Sequence, residues 1–163
     1  MNSTHWDIYK KGFKAFLQLE KSLSVHSVEA YLRDIDKFAQ YLYDEVGAIG
    51  PAEVNLKHLQ SFIQTIGKLE MAPSSQARII SGIKSFFKYC LLEQIITVNP
   101  TTLLPTPKIQ RKLPDVLSFE EIEQLINAID LSKPEGGRNK AILEVMYSSG
   151  LRVTEAINLK ISS

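Results

Sequence analysis

Two groups of side chains in this sequence have the types and spacing to do chemistry on an anion. The first is Arg152 with Glu155, in Ser148-Ser149-Gly150-Leu151-Arg152-Val153-Thr154-Glu155. A guanidinium offers a planar fork of donors that meets two oxygens of a phosphate or carboxylate at once, and it stays charged at all working pH. Glu155 lies one helical turn on and is within reach of Arg152. Taken alone, such a pair is equally well a surface ion pair worth about 0.2–1 kcal/mol. The second group is Arg78, Ser81, Ser85 and Lys88, which step by three and four residues, with Lys84 beside them. Isoleucines and phenylalanines occupy the opposite face. A polar, basic face with an apolar back suits a helix that enters a major groove or tracks a phosphate backbone. The competing reading is a plain solvated helix face.

The elements that position these groups read as helices throughout, so the fold class is all-α. Val28, Tyr31, Leu32, Ile35, Phe38, Ala39, Leu42 and Tyr43 mark a long amphipathic helix. Gly47, Gly50 and Pro51 end it. A shorter helix precedes it, carrying Trp6, Ile8, Tyr9, Phe13, Phe16 and Leu17. Leu56, Leu59, Phe62, Ile63 and Ile66 form a third, with Asn55 as its N-cap. A fourth opens at Ser74 or Ser75, after Pro73, and runs through Leu91. Four helices with short connections make a bundle, assigned to residues 1–98.

Pro100, Pro105 and Pro107 exclude regular structure next, and residues 99–116 read as an interdomain linker. Its Lys108, Arg111 and Lys112 are placed to lie along phosphates. Residues 117–163 form a second domain. Ser118-Phe119-Glu120-Glu121 fits a capping box, and Ile122, Leu125, Ile126 and Ile129 supply a buried stripe. A helix over about 138–148 follows, with Ala141, Ile142, Val145 and Met146 inward. Gly150 closes it in the left-handed conformation, and a short helix begins near Arg152. Three short helices cannot cover all these apolar stripes, so the second domain is expected to be incomplete.

Composition narrows the function classes. The chain has 163 residues and a net charge of +1, but residues 74–112 hold six cations against Glu93 alone, a local +5. A basic stretch on a near-neutral protein is a candidate phosphate footprint. The lone Cys90 excludes an internal disulfide framework and a thiolate metal cluster. His5, His26 and His58 lack metal-ligand spacing, so a surface or packing role is expected of them rather than metal binding. There is no apolar run of membrane-spanning length and no signal-peptide layout, which makes a cytoplasmic protein the default expectation. Tyr9, Tyr31, Tyr41, Tyr43, Tyr89 and Tyr147 all fall on amphipathic helices, as core or core-edge residues.

Several segments, in order, resemble the tyrosine-type site-specific recombinases, the phage-integrase and Xer family. Leu23-Ser24-Val25-His26-Ser27-Val28-Glu29-Ala30-Tyr31-Leu32-Arg33-Asp34-Ile35 is similar to the opening of that family's long DNA-facing helix. Residues Arg78 to Tyr89 resemble its fourth helix, although Gly82 stands where alanine is common. That glycine lowers helix propensity by about 1 kcal/mol, or permits close approach of a neighbour. Asn99-Pro100, Pro107-Lys108, Arg111-Lys112-Leu113-Pro114 and Leu117-Ser118 with Glu121 follow its linker and domain entry. Gly150-Leu151-Arg152 with Glu155 follows its first catalytic-arginine box.

The resemblance implies a four-helix SAM-like core-binding bundle followed by the first helices of a truncated catalytic domain. It also implies a chemistry in which a tyrosine attacks a DNA phosphodiester without metal or cofactor. Arg152 would neutralise the transition-state phosphate, and Glu155 would orient it. It implies Ser27, Tyr31, Arg33, Arg78, Ser81, Lys84, Ser85 and Lys88 as DNA contacts, with Lys108, Arg111 and Lys112 from the linker. The partners implied are double-stranded DNA and further recombinase subunits, as a tetramer on two duplexes. The family's catalytic lysine, His-x-x-Arg box and nucleophilic tyrosine fall past Ser163, so the chain alone is expected to bind DNA and not cut it. The alternatives are a stand-alone DNA-binding regulator built on a recombinase front end, and a helical protein-interaction module.

Overall fold

The structure is a computed structural model that describes residues 4–106 and 114–160. All regular elements among these residues are helical. They fall into two compact units, residues 1–111 and 112–163.

The first unit contains α1 (Thr4–Leu19), α2 (Val25–Glu45), a 3-10 turn (Pro51–Glu53), α3 (Leu56–Lys68) and α4 (Pro73–Leu92). The bounds follow local chemistry. Ser24 caps α2, its hydroxyl oxygen accepting from the Ser27 amide at 3.3 Å, so α2 begins three residues ahead of its first buried apolar side chain. Asn55 caps α3 as expected, accepting from the His58 amide at 3.1 Å. Helix α4 starts at Pro73 rather than at Ser74 or Ser75. Proline suits the first helical position because the amide it lacks would have no helical partner there.

Helix α4 packs on all three other helices, and its apolar back forms the centre of the core. Phe13, Phe38, Phe86 and Phe87 are fully buried. Phe86 meets Phe13 edge-on at 5.3 Å and stacks with Trp6 at 5.6 Å. Offset and edge-on rings add attraction beyond the area they bury. The Trp6 indole donates to the Ile49 carbonyl at 2.9 Å, which ties α1 to the loop after α2. Cys90 lies inside this core, and burial pushes its thiol pKa up to about 12, so it is no nucleophile.

The proline-bearing segment after α4 has no regular structure through Thr106, and it packs onto the first unit. Leu104 and Thr101 are buried, and the Asn99 side chain accepts from the Thr101 amide at 2.9 Å and from its hydroxyl at 2.8 Å. Lys108, Arg111 and Lys112 lie outside the described residues.

The second unit holds α5 (Phe119–Asn127), α6 (Gly136–Ser149) and α7 (Val153–Ile157). Ser118 and Glu121 form the expected capping box, with bonds of 3.2 and 2.8 Å. Gly150 takes φ +64° at the end of α6, a conformation that strains any residue with a Cβ. The expected inward stripes are only partly realised. Ile122, Ile126, Ile129, Ile142 and Met146 are half-buried, whereas Leu125, Ala141 and Val145 are exposed. No apolar side chain of this unit is buried among the described residues. Three short helices enclose too little volume to remove their apolar faces from water. Tyr147 is exposed here, and Tyr43 is exposed on the first unit, so these two are not core residues.

Candidate nucleic-acid interface

The polar face of α4 is built against α2. Gly82 is a point of close approach: a Cβ there would lie 3.3 Å from Asp34 Oδ2 and 3.5 Å from Tyr31 Cδ1. The glycine therefore lets the two helices close, at the cost in helix propensity noted above. One turn back along α4, Arg78 reaches across the same junction. Its Nη1 donates to Asp34 Oδ2 and lies 3.5 Å from the Ala30 carbonyl. The Arg78 side chain is 43% exposed while that of Asp34 is 1% exposed. One terminal nitrogen of the guanidinium is thus fixed to a buried carboxylate, on a side chain that is partly open to solvent.

Asp34 is the residue of this junction that sequence reasoning passed over. Its Oδ1 has no hydrogen-bond partner among the described residues. Burial pushes its carboxyl pKa above the ordinary value, and Arg78, then Lys37 and Arg33, oppose that shift without cancelling it. A signal was available: Asp34 sits three residues after Tyr31 and four before Phe38, in register with the buried stripe of α2. A carboxylate at such a position needs a cationic partner.

The other expected DNA contacts are dispersed in their settings. Ser27 is half-buried and its hydroxyl is 3.0 Å from that of Ser24, inside the α2 cap. Tyr31 is half-buried beside Gly82. Arg33 is exposed, with Nη1 3.9 Å from Glu29 on its own helix. Ser81 and Lys88 are exposed and Ser85 is half-buried. Lys84 donates from Nζ to the Thr106 hydroxyl at 2.9 Å, which fastens the segment after α4 to the helix. The α2–α4 junction therefore gathers Tyr31, Arg78 and Asp34, while Arg33 and Lys84 are engaged elsewhere.

In the second unit, Arg152 is the N-cap residue of α7. Its backbone amide donates to Glu155 Oε2 at 2.8 Å, and its Nη1 donates to Glu155 Oε1 at 3.2 Å. The Arg152 amide first, and the guanidinium second, hold the Glu155 carboxyl below the ordinary carboxylate range. The Arg152 side chain is 83% exposed, so one terminal nitrogen of the fork is held by Glu155 while most of the side chain is open to solvent.

Comparison with known proteins matches the phage integrase N-terminal SAM-like domain to residues 11–94, which takes in most of α1 and all of α2, α3 and α4. The chain belongs to the phage integrase family. A second family model, described simply as the phage integrase family, matches residues 115–163 and includes Arg152 and Glu155. The chain is 39% identical to tyrosine recombinase XerD of Staphylococcus haemolyticus (strain JCSC1435), over 90% of this chain and 49% of that protein. It is 39% identical to tyrosine recombinase XerC of Natranaerobius thermophilus, over 93% of this chain and 50% of the relative. The XerD of Listeria innocua is 35% identical, over 91% and 50% respectively. The chain thus spans about half the length of the curated relatives it matches. No described helix is long and apolar enough to cross a membrane, and no described cluster of His, Cys, Asp or Glu could hold a metal ion.

Proposed function

We propose that this chain is the DNA-binding front of a tyrosine recombinase, with a helical core-binding bundle that grips duplex DNA and an arginine that serves strand cleavage. The observation that carries this reading is the pair of consecutive integrase-family matches, one over the bundle and one over the Arg152 segment. The exposed polar face of α4 supports it, with Arg78, Ser81 and Lys88 open to solvent. Phosphate contacts from these residues, from Tyr31 and Ser85, and from Lys108, Arg111 and Lys112 would set register on the duplex. Lys84, Arg33 and Ser27 join that set on release from their present partners.

In the assembled recombinase, Arg152 would donate its open edge to the non-bridging oxygens of the attacked phosphodiester, where negative charge grows in the transition state. Glu155 is a positioning residue that holds one terminal nitrogen of the fork. The cleavage itself is a tyrosine attack that forms a phosphotyrosyl ester, carried out by subunits assembled on two duplexes. A regulator that binds without cutting has no specific observation in its favour, because the Arg152 box lies inside an integrase-family match.

Titrating the chain with duplex DNA over a series of salt concentrations tests the binding. About four to five phosphate contacts give a slope of log K against log[salt] near −4. A slope near zero would remove DNA binding. For Arg152, the measurement is cleavage of a suicide substrate by a recombinase carrying this segment. Arg152→Lys is expected to lose most of the rate, since an ammonium cannot reproduce the fork. A near-normal rate would remove Arg152 from the chemistry.

A further inference from the structure

The buried carboxylate at the α2–α4 junction has no role in the function proposed so far. It is also costly: Asp34 is 1% exposed, and among the described residues one of its oxygens is without a hydrogen-bond partner and its single ionic contact is to a side chain with ample access to water. A buried ion pair is weak evidence for stability, because the desolvation of its members offsets their attraction. An apolar residue would fill the same register of α2 at less cost. The arrangement does, however, accomplish something specific. Arg78 is otherwise a long side chain on an exposed helix face, with rotamer freedom that would have to be lost on contact with a ligand. Asp34 Oδ2 and the Ala30 carbonyl fix the Nη1 edge of its guanidinium, and Gly82 admits the carboxylate close enough to do so. What remains is the rest of the guanidinium, on a side chain that keeps 43% of its surface open to solvent.

We infer that Asp34 is a positioning residue for DNA binding: it clamps Arg78 from beneath so that the free edge of the guanidinium is preorganised to receive a backbone phosphate at the α2–α4 junction. This inference rests on the DNA-binding reading above and adds to it a named phosphate site and the residue that builds it. Its distinguishing feature is a sign. Removing a carboxylate from a DNA-binding face makes that face more positive, and by charge alone binding should tighten. A clamp predicts the reverse, because an unheld Arg78 meets its phosphate less well.

The test is salt-dependent duplex binding by the full chain and by Asp34→Asn, Asp34→Leu, Arg78→Ala, Arg78→Lys and the double variant Asp34→Leu/Arg78→Ala, with circular dichroism to confirm the helical fold. Asp34→Leu is expected to bind about tenfold more weakly at 0.1 M salt, with a slope shallower by about one, the signature of one lost phosphate contact. Asp34→Asn keeps an acceptor for Arg78 and should fall between it and the unaltered chain. Arg78→Ala should match Asp34→Leu, and the double variant should be no weaker than either, because both remove one contact. Arg78→Lys retains the charge pair and should keep the thermal stability of the fold, yet lose the tight binding. If the unaltered chain binds with a steep slope while Asp34→Leu binds equally well or better, the clamp is wrong and the DNA-binding reading survives. If the unaltered chain shows no salt-sensitive binding, both fall together.

Discussion

Two arginines in this chain meet carboxylates, one in each unit, and the settings are opposite. Arg78 reaches a carboxylate buried between two long helices of a bundle with a filled aromatic core. Arg152 meets Glu155 at the start of a five-residue helix, in a unit where no described apolar side chain is buried. In the first case packing forces the pair and raises the pKa of the acid. In the second, local hydrogen bonds form the pair and lower it. The bundle therefore places its guanidinium by tertiary structure, and the second unit places its own by capping geometry that a single turn of helix provides. The DNA-gripping face proposed above would need the first kind of rigidity, since its proposed contacts lie on different helices. An arginine box that acts within a larger site can begin as a local motif.

The widest separation between the units should appear in their response to losing an aromatic ring. Phe86 is fully buried among Trp6, Phe13, Phe87 and Tyr89, and Phe86→Ala should destabilise the bundle by about 3–5 kcal/mol in denaturant unfolding. Phe119, at 56% exposure, touches only the Tyr147 ring among the described aromatics, and Phe119→Ala should cost under ~1 kcal/mol. Equal losses would mean that Phe119 is covered in solution, and the contrast between a filled and an open unit would be lost.

The two acids should also drive stability in opposite directions with pH. The folded-state pKa of Asp34 is raised above 3.8, so the folded chain holds its proton to higher pH than the unfolded chain does. Stability contributed by Asp34 is then present below that ordinary value and is lost as pH rises through the raised one. Glu155 is depressed below 4.5, so its contribution is present above that value and is lost as pH falls through the depressed one. Unfolding measured from below pH 4 up to neutrality should show the unaltered chain losing stability relative to Asp34→Asn as pH rises. Relative to Glu155→Gln, the unaltered chain should lose helix at α7 as pH falls. An Asp34→Asn curve parallel to that of the unaltered chain throughout would show that Asp34 does not titrate in this window.

Much of this was legible in the residues because it depends on local spacing. The stripe from Val28 to Leu42, the Asn55 cap, the Ser118–Glu121 box, the Gly150 stop and the Arg152–Glu155 pair each involve residues within a few positions of one another. The family resemblance, too, was carried by short ordered segments. What was not legible depends on which face of α2 meets which residue of α4. Asp34 and Arg78 are 44 positions apart, and nothing in the pattern of either helix alone says that they touch. Gly82 departs from the family pattern in a way that admits two readings, and only the approach of Asp34 and Tyr31 decides between them. The fastening of Lys84 to Thr106 was hidden for the same reason, since the segment after α4 read as linker by its prolines.

The smallest effect, and the finest probe of the contrast, comes from matched helix caps. Asn55 caps α3 in the bundle and Ser118 caps α5 in the second unit, each accepting from the amide three residues on. Replacing either by alanine should cost about 1 kcal/mol, since each loses one side-chain acceptor for a helix-end amide. The two losses should be read out differently. Helix α3 sends Leu59, Phe62 and Ile66 into the common core, so Asn55→Ala should shift the main unfolding transition of the bundle. Helix α5 has no buried residue, so Ser118→Ala should leave that transition in place and instead speed amide hydrogen exchange in the first turn of α5. Glu121 still accepts from the Ser118 amide in that variant, which keeps half of the box and bounds the change from above. If Ser118→Ala moves the main transition as far as Asn55→Ala does, the two units unfold as one, and the second owes its order to the bundle rather than to its own local bonds.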